Sequence, residues 1–284
     1  MTSRNLPSRA WFFAGVAMLC SLRIGVLAFR SLSPGGAAKR SSIRSAASKA
    51  SSTAPPDLAN LRENYVSSGI DETALPQEPH VLMAKWVEEA CSCKEVIEPN
   101  AMCLSTVGEG GKPSARFVLM KGYDERGVTW YTNYNSRKAQ ELKAFPHAAI
   151  TFWWGALHRS VRFEGEVAMV SEEESDEYFS CRPTGSKIGA WVSDQSEPIA
   201  SRDEMTAKAK EIEEAFASEG DNVPRPPHWG GFRLRPTRVE FWEGQPSRLH
   251  DRFVYSLESA EAKGQAEGGE GAAEGPWTIT RLQP

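Results

Sequence analysis

The sequence predicts a mainly β fold, a β-barrel with helices at its periphery. Six or more stretches have the length and alternation of strands, and short turns join several of them. Helical stretches are inserted between the strands, as expected for a barrel with peripheral helices. About 228 residues follow position 56, which is enough for one sizeable domain with its own core.

A helix and three strands are predicted first. In HVLMAKWVEEACSC the apolar residues repeat with helical spacing, at Val81, Leu82, Trp86, Val87 and Ala90. Strands are predicted at 102–107 and 114–123, on either side of the glycine-rich turn GEGGKP, and at 128–133 after the turn DERG. The first two strands indicate a hairpin.

Helices and strands then alternate to the end of the chain. SRKAQELKAF, from Ser136, is helical, and strands follow at 148–154 and 160–170. Ser171 and Glu174 form a capping box, which predicts a helix that carries Tyr178 and Phe179. The remaining predictions are a short helix in RPTGSKIGAWVSDQS, an exposed amphipathic helix in EMTAKAKEIEEAFA, a long strand in GGFRLRPTRVEFW and a closing strand in WTITRL.

The first 56 residues have the composition of a targeting presequence. They hold eight basic residues and no acidic one, with an apolar run from Ala10 to Phe29 that Arg23 interrupts. An Arg-rich, Ser-rich and acid-poor segment predicts a transit peptide, cleaved or disordered, that leads to a plastid or, second, to a mitochondrion. The alternatives are a retained membrane anchor, and a cytoplasmic protein if the presequence is not used.

The rest of the chain is acidic, with 25 basic against 37 acidic residues. This balance argues against a nucleic-acid surface, so any bound anion must be held by local clusters. No stable membrane association is expected of the mature form, because Arg23 breaks the apolar run short of a full span. Five cysteines without paired spacing predict neither a metal site nor a disulfide framework. Residues 258–275 form a low-complexity Gly, Ala and Glu insert, expected to be disordered.

The segment FWEGQPSRLHDR places three ionisable side chains at alternate positions, Arg248, His250 and Arg252. In an extended segment this spacing puts all three on one face. An imidazole between two cations predicts an anion there, while a solvated polar edge strand is the alternative.

Two further basic clusters precede it. In RFVLMK, a regular strand would put Arg116 and Lys121 on opposite faces. In YTNYNSRK, Arg137 and Lys138 occupy the first turn of a predicted helix, where the helix dipole disfavours cations. An anion on the free N–H groups of this helix start would reverse that penalty, which predicts a phosphate site.

The segment YFSCRPTGS offers a fourth cluster, with Tyr178, Arg182 and Ser186 at intervals of four. On a helix these positions form one stripe that presents a phenol, a guanidinium and a hydroxyl to a single anion. Pairing of Arg182 with Asp176 or Glu177 is the alternative. The helix start with Arg137 and Lys138 and the stripe from Tyr178 to Ser186 are thus two predicted phosphate sites. They suggest two phosphorylated ligands, or one ligand with two phosphates.

In this order, the motifs RFVLMK, WYTNYNSRK, VRFEG, YFSCRPTGSKIGAWVSDQS and HWGGFRLRPTRVEFWEGQPSRLHDR, with a terminus in RLQP, resemble the pyridoxamine 5′-phosphate oxidase family. The resemblance covers the chain from about Pro76 to Pro284, apart from the insert. It implies an FMN-binding split β-barrel, an oxidase domain at 57–284, and a homodimer with FMN at the subunit interface.

The resemblance also implies the site residues. FMN would be bound by Arg116, Phe117, Val118, Leu119, Lys121, Tyr131, Thr132, Arg137, Lys138, Gln195, Ser196, Trp242 and Arg252. The substrate would be bound by Lys121, Tyr178, Arg182, Ser186, Arg248, Leu249 and His250, of which Arg248 and His250 would be catalytic. One departure is Ser160, where the family commonly has Gln, so that contact with the flavin is not expected here.

The implied reaction is the FMN-dependent oxidation of pyridoxamine or pyridoxine 5′-phosphate to pyridoxal 5′-phosphate, with O₂ as acceptor and H₂O₂ as product. Two alternatives remain. One is another split-barrel flavoprotein such as a flavin reductase, which has less use for the Tyr178, Arg182 and Ser186 cluster. The other is a carrier of pyridoxal phosphate that consumes no oxygen, against which the presence of Arg248 and His250 argues.

Overall fold

The computed structural model describes residues 64–257 and 276–284, together with Leu58 and Leu61. The predicted presequence (1–56) and the predicted insert (258–275) lie outside the described residues. The division into a presequence and a domain at 57–284 therefore stays a prediction. Among the described residues, no helix is both long enough and apolar enough to cross a membrane.

The described chain contains five α-helices and nine strands. The helices are α1 (Pro79–Ser92), α2 (Arg137–Ala144), α3 (Glu172–Ser180), α4 (Thr184–Val192) and α5 (Arg202–Ala215). The strands are β1 (Ala101–Val107), β2 (Pro113–Leu119), β3 (Gly122–Asp124), β4 (Gly127–Asn133), β5 (His147–Trp154), β6 (Arg159–Met169), β7 (Trp229–Glu243), β8 (Asp251–Leu257) and β9 (Trp277–Arg281).

The strands form a single antiparallel sheet in the order β2-β1-β5-β6-β7-β4-β3, extended by β8 on β7 and β9 on β8. The 15-residue strand β7 connects its parts, because its first half pairs with β4 and its second half with β8. A predominantly β architecture with helices between the strands confirms the predicted fold class.

One large apolar core cluster includes buried residues of the sheet and of α1. Pro79 stands in the first turn of α1, where its missing N–H has no helical partner to lose. The buried face of α1 consists of Leu82, Met83, Trp86 and Ala90, and the Trp86 ring meets Phe241 edge-on at 5.2 Å. Val81, predicted on this face, is 49% exposed, so the buried stripe lies one residue further along.

The predicted strand at 114–123 is two strands rather than one. The Met120 N–H donates to Asn100 O at 2.8 Å, and the Lys121 N–H donates to Thr129 O at 2.9 Å. The chain therefore leaves the edge of β1 and joins β4 within two residues. The prediction that Arg116 and Lys121 lie on opposite faces of a regular strand is wrong, because no regular strand spans both.

The predicted helical stripe of Tyr178, Arg182 and Ser186 is also interrupted. Ser171 caps α3 as predicted, since its Oγ accepts the Glu174 N–H at 3.1 Å. However, α3 ends at Ser180 and α4 begins at Thr184. Pro183 explains the break, because proline lacks an N–H and disfavours helical backbone in the residue before it.

Candidate functional site

A cavity of about 820 Å³ lies between β2, the end of β4, the start of α2 and the junction of α3 and α4. We call it the main cavity. Its lining includes fourteen of the predicted site residues: Arg116, Phe117, Val118, Leu119, Lys121, Tyr131, Thr132, Arg137, Lys138, Tyr178, Arg182, Ser186, Gln195 and Ser196. Both interrupted elements, the strand and the helix, thus still deliver their polar residues to one place.

One buried carboxylate, Glu141, organises the arginines at the α2 side of the main cavity. Its two oxygens accept from Arg116 Nη2 at 3.0 Å and from Arg137 Nε at 2.9 Å, and Thr106 Oγ1 donates at 2.5 Å. Burial opposes ionisation of Glu141, but hydrogen bonds from Thr106 and Arg137 and the charge of Arg116 outweigh it and lower the pKa of this carboxyl. Glu141 is therefore a fixed anion that holds two cations in place.

Lys138 has no such partner. The Lys138 residue is buried, and its ammonium donates to Thr132 Oγ1 at 3.1 Å, to Ser136 Oγ at 3.2 Å and to Gln195 Oε1, all of which are neutral oxygens. Burial, followed by the charge of Arg116, lowers the pKa of Lys138 to about 8. A nearby anion would favour the charged ammonium.

The start of α2 has no side-chain cap from its N-cap residue. Ser136 occupies the N-cap position, but its side chain makes no cap and instead donates to Asn133 O at 2.7 Å. The Arg137 N–H donates to Ser196 Oγ at 3.2 Å. Ser196 itself has a φ of 79°, a conformation that few non-glycine residues adopt and that costs about 1–3 kcal/mol.

Arg182 and Lys121 form the opposite cationic group of the main cavity. Arg182 Nη1 is buried and has no hydrogen-bond partner among the described residues. The pKa of Lys121 is lowered by burial and then by the charge of Arg182. Tyr178 stacks on Tyr131 with 4.0 Å between ring centroids, so the phenols form a flat wall beside these cations.

The remaining predicted residues lie in two other cavities, of about 450 Å³ each. Arg248 and His250 line the second cavity, together with Tyr65, and Leu249 between them is 70% exposed. Trp242 and Arg252 line the third cavity, together with Ser160 and also Tyr65. None of these five predicted residues lines the main cavity of its own chain: Trp242, Arg248, Leu249, His250 and Arg252.

The prediction that Arg248, His250 and Arg252 share one face of an extended segment is wrong. Pro246–Arg248 form a 3₁₀ turn in which Ser247 and Arg248 have φ values of 58° and 62°. Two consecutive left-handed residues turn the chain before β8 begins. Such backbone is rare outside glycine and clusters at functional sites.

The protonation state of His250 follows from its contacts. The Gln245 N–H donates to His250 Nδ1 at 3.0 Å, so the neutral ring carries its proton on Nε2. Burial, followed by the charge of Arg248, lowers the pKa of this imidazole. His250 therefore presents a neutral N–H donor at Nε2.

Arg252 is paired within its own chain. Its Nε donates to Glu240 Oε1 at 2.8 Å and its Nη1 to Gln283 O at 3.0 Å. Ser160 stands opposite Trp153 on β5 and opposite Trp242 on β7, and the two indole rings are 5.8 Å apart. The shorter side chain at this position is thus flanked by two tryptophans.

Three residues in or beside these cavities, Glu141, Trp229 and Tyr65, organise the site but were not predicted from the sequence. Glu141 had a signal, because it lies four residues after Arg137 on the same helix. Trp229, in the wall of the main cavity, and Tyr65, between the second and third cavities, had none. The Tyr65 ring lies 4.7 Å from that of His158 and 5.6 Å from that of His250, contacts that only the folded chain creates.

Comparisons with known proteins give the family of this fold and site. The family model described as pyridoxamine 5′-phosphate oxidase matches residues 92–216, and the model of the pyridoxine 5′-phosphate oxidase C-terminal dimerisation region matches residues 229–284. The pyridoxine/pyridoxamine 5′-phosphate oxidase of Burkholderia cenocepacia is 49% identical over 227 residues, 80% of this chain and 99% of the relative. That of Burkholderia mallei is 50% identical over the same coverage.

Solved structures agree with the predicted split barrel. PhzG from Burkholderia lata, in complex with tetrahydrophenazine-1-carboxylic acid, superposes with a TM-score of 0.65 at 29% identity, over 75% of this chain and 95% of that one. A pyridoxamine 5′-phosphate oxidase-related, FMN-binding protein from Nostoc punctiforme gives a TM-score of 0.54 at 16% identity, over 74% and 99% of the two chains. The second likeness concerns the fold alone.

The relatives correct the predicted location. Both curated relatives are bacterial proteins, which contradicts the prediction of an organelle. They give no support to a transit peptide. With 49% identity over 80% of its length and a C-terminal part that matches a dimerisation region, the chain belongs to the pyridoxine/pyridoxamine 5′-phosphate oxidase family, an oxidoreductase family whose cofactor is FMN.

Proposed function

We propose that a homodimer of this chain oxidises pyridoxamine 5′-phosphate and pyridoxine 5′-phosphate to pyridoxal 5′-phosphate, with O₂ as acceptor and H₂O₂ as product. The observation that carries this proposal is the charge of the main cavity. Five cations line it, and Glu141 is the only carboxylate of the described chain within 4.0 Å of any of them. Two phosphate monoesters, each with about 1.5 to 2 negative charges, would balance the surplus.

The residues of the main cavity fit FMN. The open start of α2, with Arg137 and Lys138, suits its phosphate. Among the described residues, strand β2 pairs only with β1, so the backbone N–H and C=O of Leu119, which point away from β1, are available to the polar edge of the isoalloxazine. FMN held by these residues would supply the two-electron redox chemistry of the reaction.

The second cationic group suits the substrate phosphate. Lys121, Tyr178, Arg182 and Ser186 offer an ammonium, a phenol, a guanidinium and a hydroxyl in the same cavity. Anchoring both reactants by their phosphates fixes their relative orientation, which is the largest contribution expected of the protein. The carboxylate of a ligand such as the one in the PhzG complex carries one charge, so the surplus of cations favours a phosphorylated substrate.

Arg248 and His250 complete the site in our proposal, but from the other subunit. In their own chain they line the second cavity, away from the main cavity. They lie, with Trp242 and Arg252, in the part of the chain that matches a dimerisation region. We infer that dimerisation brings these residues to the main cavity of the partner copy. Arg248 would polarise the substrate, and neutral His250 would donate a hydrogen bond to it from Nε2.

The first test is spectroscopic. The purified full chain, loaded with FMN, should be yellow, and anaerobic pyridoxamine 5′-phosphate should bleach it. Air should then restore the colour and yield one H₂O₂ per turnover. Arg248→Leu should keep FMN bound but slow the bleaching strongly. A protein that refuses FMN, or that binds it without being reduced by the substrate, would refute the proposal, the latter in favour of a pyridoxal phosphate carrier.

The second test addresses the shared site. Two inactive variants, Arg182→Met and Arg248→Leu, are co-expressed with different tags and the mixed dimer is isolated. If each site takes residues from both chains, one site of the mixed dimer is intact and about half of the wild-type activity returns. If each site belongs to one chain, both sites stay damaged and no activity returns.

A further inference from the structure

Arg182 is a cation without an acidic partner. It lies in the link between α3 and α4, where its N–H donates to Phe179 O at 3.2 Å. Burial lowers the pKa of its guanidinium, the Tyr178 phenol opposes this shift, and no carboxylate of the described residues forms a salt bridge with it. Nη1 is buried without a hydrogen-bond partner among the described residues. Something other than an ion pair must hold this side chain.

An aromatic face holds it. The guanidinium carbon lies 4.5 Å from the centre of the Trp229 ring and 5.6 Å from that of Phe179. Trp229 is itself fixed: it is 7% exposed, its ring meets Phe179 at 69° and 5.0 Å, and it lies nearly parallel to Tyr131 at 5.5 Å. Arg225 Nη1 also donates to Trp229 O at 2.8 Å, which ties the backbone down.

The choice of an aromatic face has a chemical consequence. A carboxylate would orient the guanidinium by accepting its N–H groups and cancelling its charge, so it would compete with an incoming phosphate. An indole attracts the cation through its ring quadrupole and accepts none of the in-plane N–H groups. The arginine thus keeps both its orientation and its capacity to bind an anion bidentately.

We propose that Trp229 is a positioning residue for the phosphate-binding Arg182, and that it sets the preference of this enzyme for phosphorylated over unphosphorylated ligands. The inference rests on the proposed function, since it takes Arg182 as the substrate-phosphate ligand. If the inference is wrong, Trp229 serves only to fill space in the apolar wall of the cavity.

The test compares two ligands that differ in the phosphate alone. Pyridoxal 5′-phosphate and pyridoxal are titrated calorimetrically into the full chain saturated with FMN. Trp229→Met removes the ring but keeps an apolar side chain, and should weaken pyridoxal 5′-phosphate about tenfold while leaving pyridoxal unchanged. Trp229→Phe keeps a weaker aromatic face and should lose about twofold to threefold.

Trp191→Leu is the matched control. Trp191 packs against Phe216 at 5.3 Å and does not line the main cavity, so its removal should lower stability without changing the ratio of the two affinities. If Trp229→Met does not fold, the graded loss in Trp229→Phe decides the question. A ratio unchanged in the Trp229 variants, or equal losses for both ligands, would overturn the inference.

Turnover separates this inference from the proposed function. In the active enzyme, Trp229→Met should raise KM for pyridoxamine 5′-phosphate with little change in kcat, because the phosphate is held equally in the ground and transition states. A wild-type chain that binds pyridoxal 5′-phosphate through its phosphate but never oxidises the amine refutes the function alone. A wild-type chain that binds both ligands equally refutes the inference.

Discussion

Arg159 and Arg182 both lie over the face of a tryptophan, but only Arg159 is neutralised. Its guanidinium is 4.6 Å from the centre of the Trp86 ring and pairs with two carboxylates, Glu89 and, at 3.0 Å, Glu243. Arg182 has the same aromatic contact at 4.5 Å, but it forms no salt bridge with a carboxylate of the described part of the chain. The first arrangement is complete and joins α1 to the sheet, whereas the second leaves a charge for a ligand.

The counter-ion is the feature that distinguishes a structural cation from a candidate binding cation in these two regions. Burial and an aromatic neighbour are common to both regions, so neither feature identifies a site. The presence or absence of a carboxylate does, because a buried charge without a counter-ion is unfavourable unless a ligand supplies one. Replacement of either arginine should therefore have a larger effect than replacement of Lys138 or His250.

Replacement of Arg159 should have the largest effect, and on stability. Arg159→Met leaves Glu243, which is 2% exposed, buried without its partner, so we expect a loss of about 3–5 kcal/mol in the free energy of unfolding. Urea denaturation of the FMN-loaded chain measures it. The double variant Arg159→Met/Glu243→Leu should recover a large part, and failure to do so would show that packing on Trp86, not charge, is what Arg159 provides.

Arg182→Met should act on function rather than stability. We expect kcat/KM for pyridoxamine 5′-phosphate to fall about 100-fold, since a charge-assisted bidentate contact is lost. The free energy of unfolding should stay the same or rise, because no carboxylate loses its partner. Steady-state kinetics and urea denaturation of one preparation check both parts; a destabilisation like that of Arg159→Met would erase the distinction.

Lys138 is another buried cation without a salt bridge to a described carboxylate, and its effect on stability should depend on pH. Its pKa is about 8 in the folded, FMN-free chain and near its ordinary value of about 10.5 in the unfolded chain. Between these values the unfolded chain binds more protons, so stability should rise with pH in that window. Denaturation of FMN-free protein from pH 7.5 to 10.5 measures this slope. Lys138→Met should lack it, and an identical slope in the variant would contradict the assignment.

His250 should give the smallest effect. Its lowered pKa keeps the imidazole neutral at pH 7, so activity should fall only as the pH drops below the ordinary imidazole value of about 6.5. Protonation would set Nδ1–H against the Gln245 N–H and add a cation beside Arg248. The pH profile of kcat/KM should lose this acid limb in His250→Gln; a limb that persists must be assigned to another group.

The parts of the site that could be predicted from the sequence are those that depend on local chemistry. The open helix start with Arg137 and Lys138 follows from the helix dipole and needs no knowledge of the fold. The strand alternation that predicts the sheet is local as well. The binding roles given to these residues stay predictions until FMN and substrate are titrated.

The parts that could not be predicted depend on the backbone between elements and on distant residues. Periodicity carries no sign that the chain leaves β1 at Met120 or that Ser247 and Arg248 adopt left-handed backbone. The latter pair sends Arg248 and Arg252 to different cavities. Trp229 meets Arg182 only after 46 intervening residues have folded, so its role has no local signal.

The pairing of β8 with β9 has a practical consequence for engineering. Leu257 and Trp277 are register partners at the end of this hairpin, so the long connection between them starts and ends at neighbouring points of the sheet. Because the entropy of closing a loop grows only slowly with its length, a two-residue turn or a whole reporter protein could replace the connection at similar stability. A fluorescent domain grafted there would give a tagged oxidase whose own termini remain untouched.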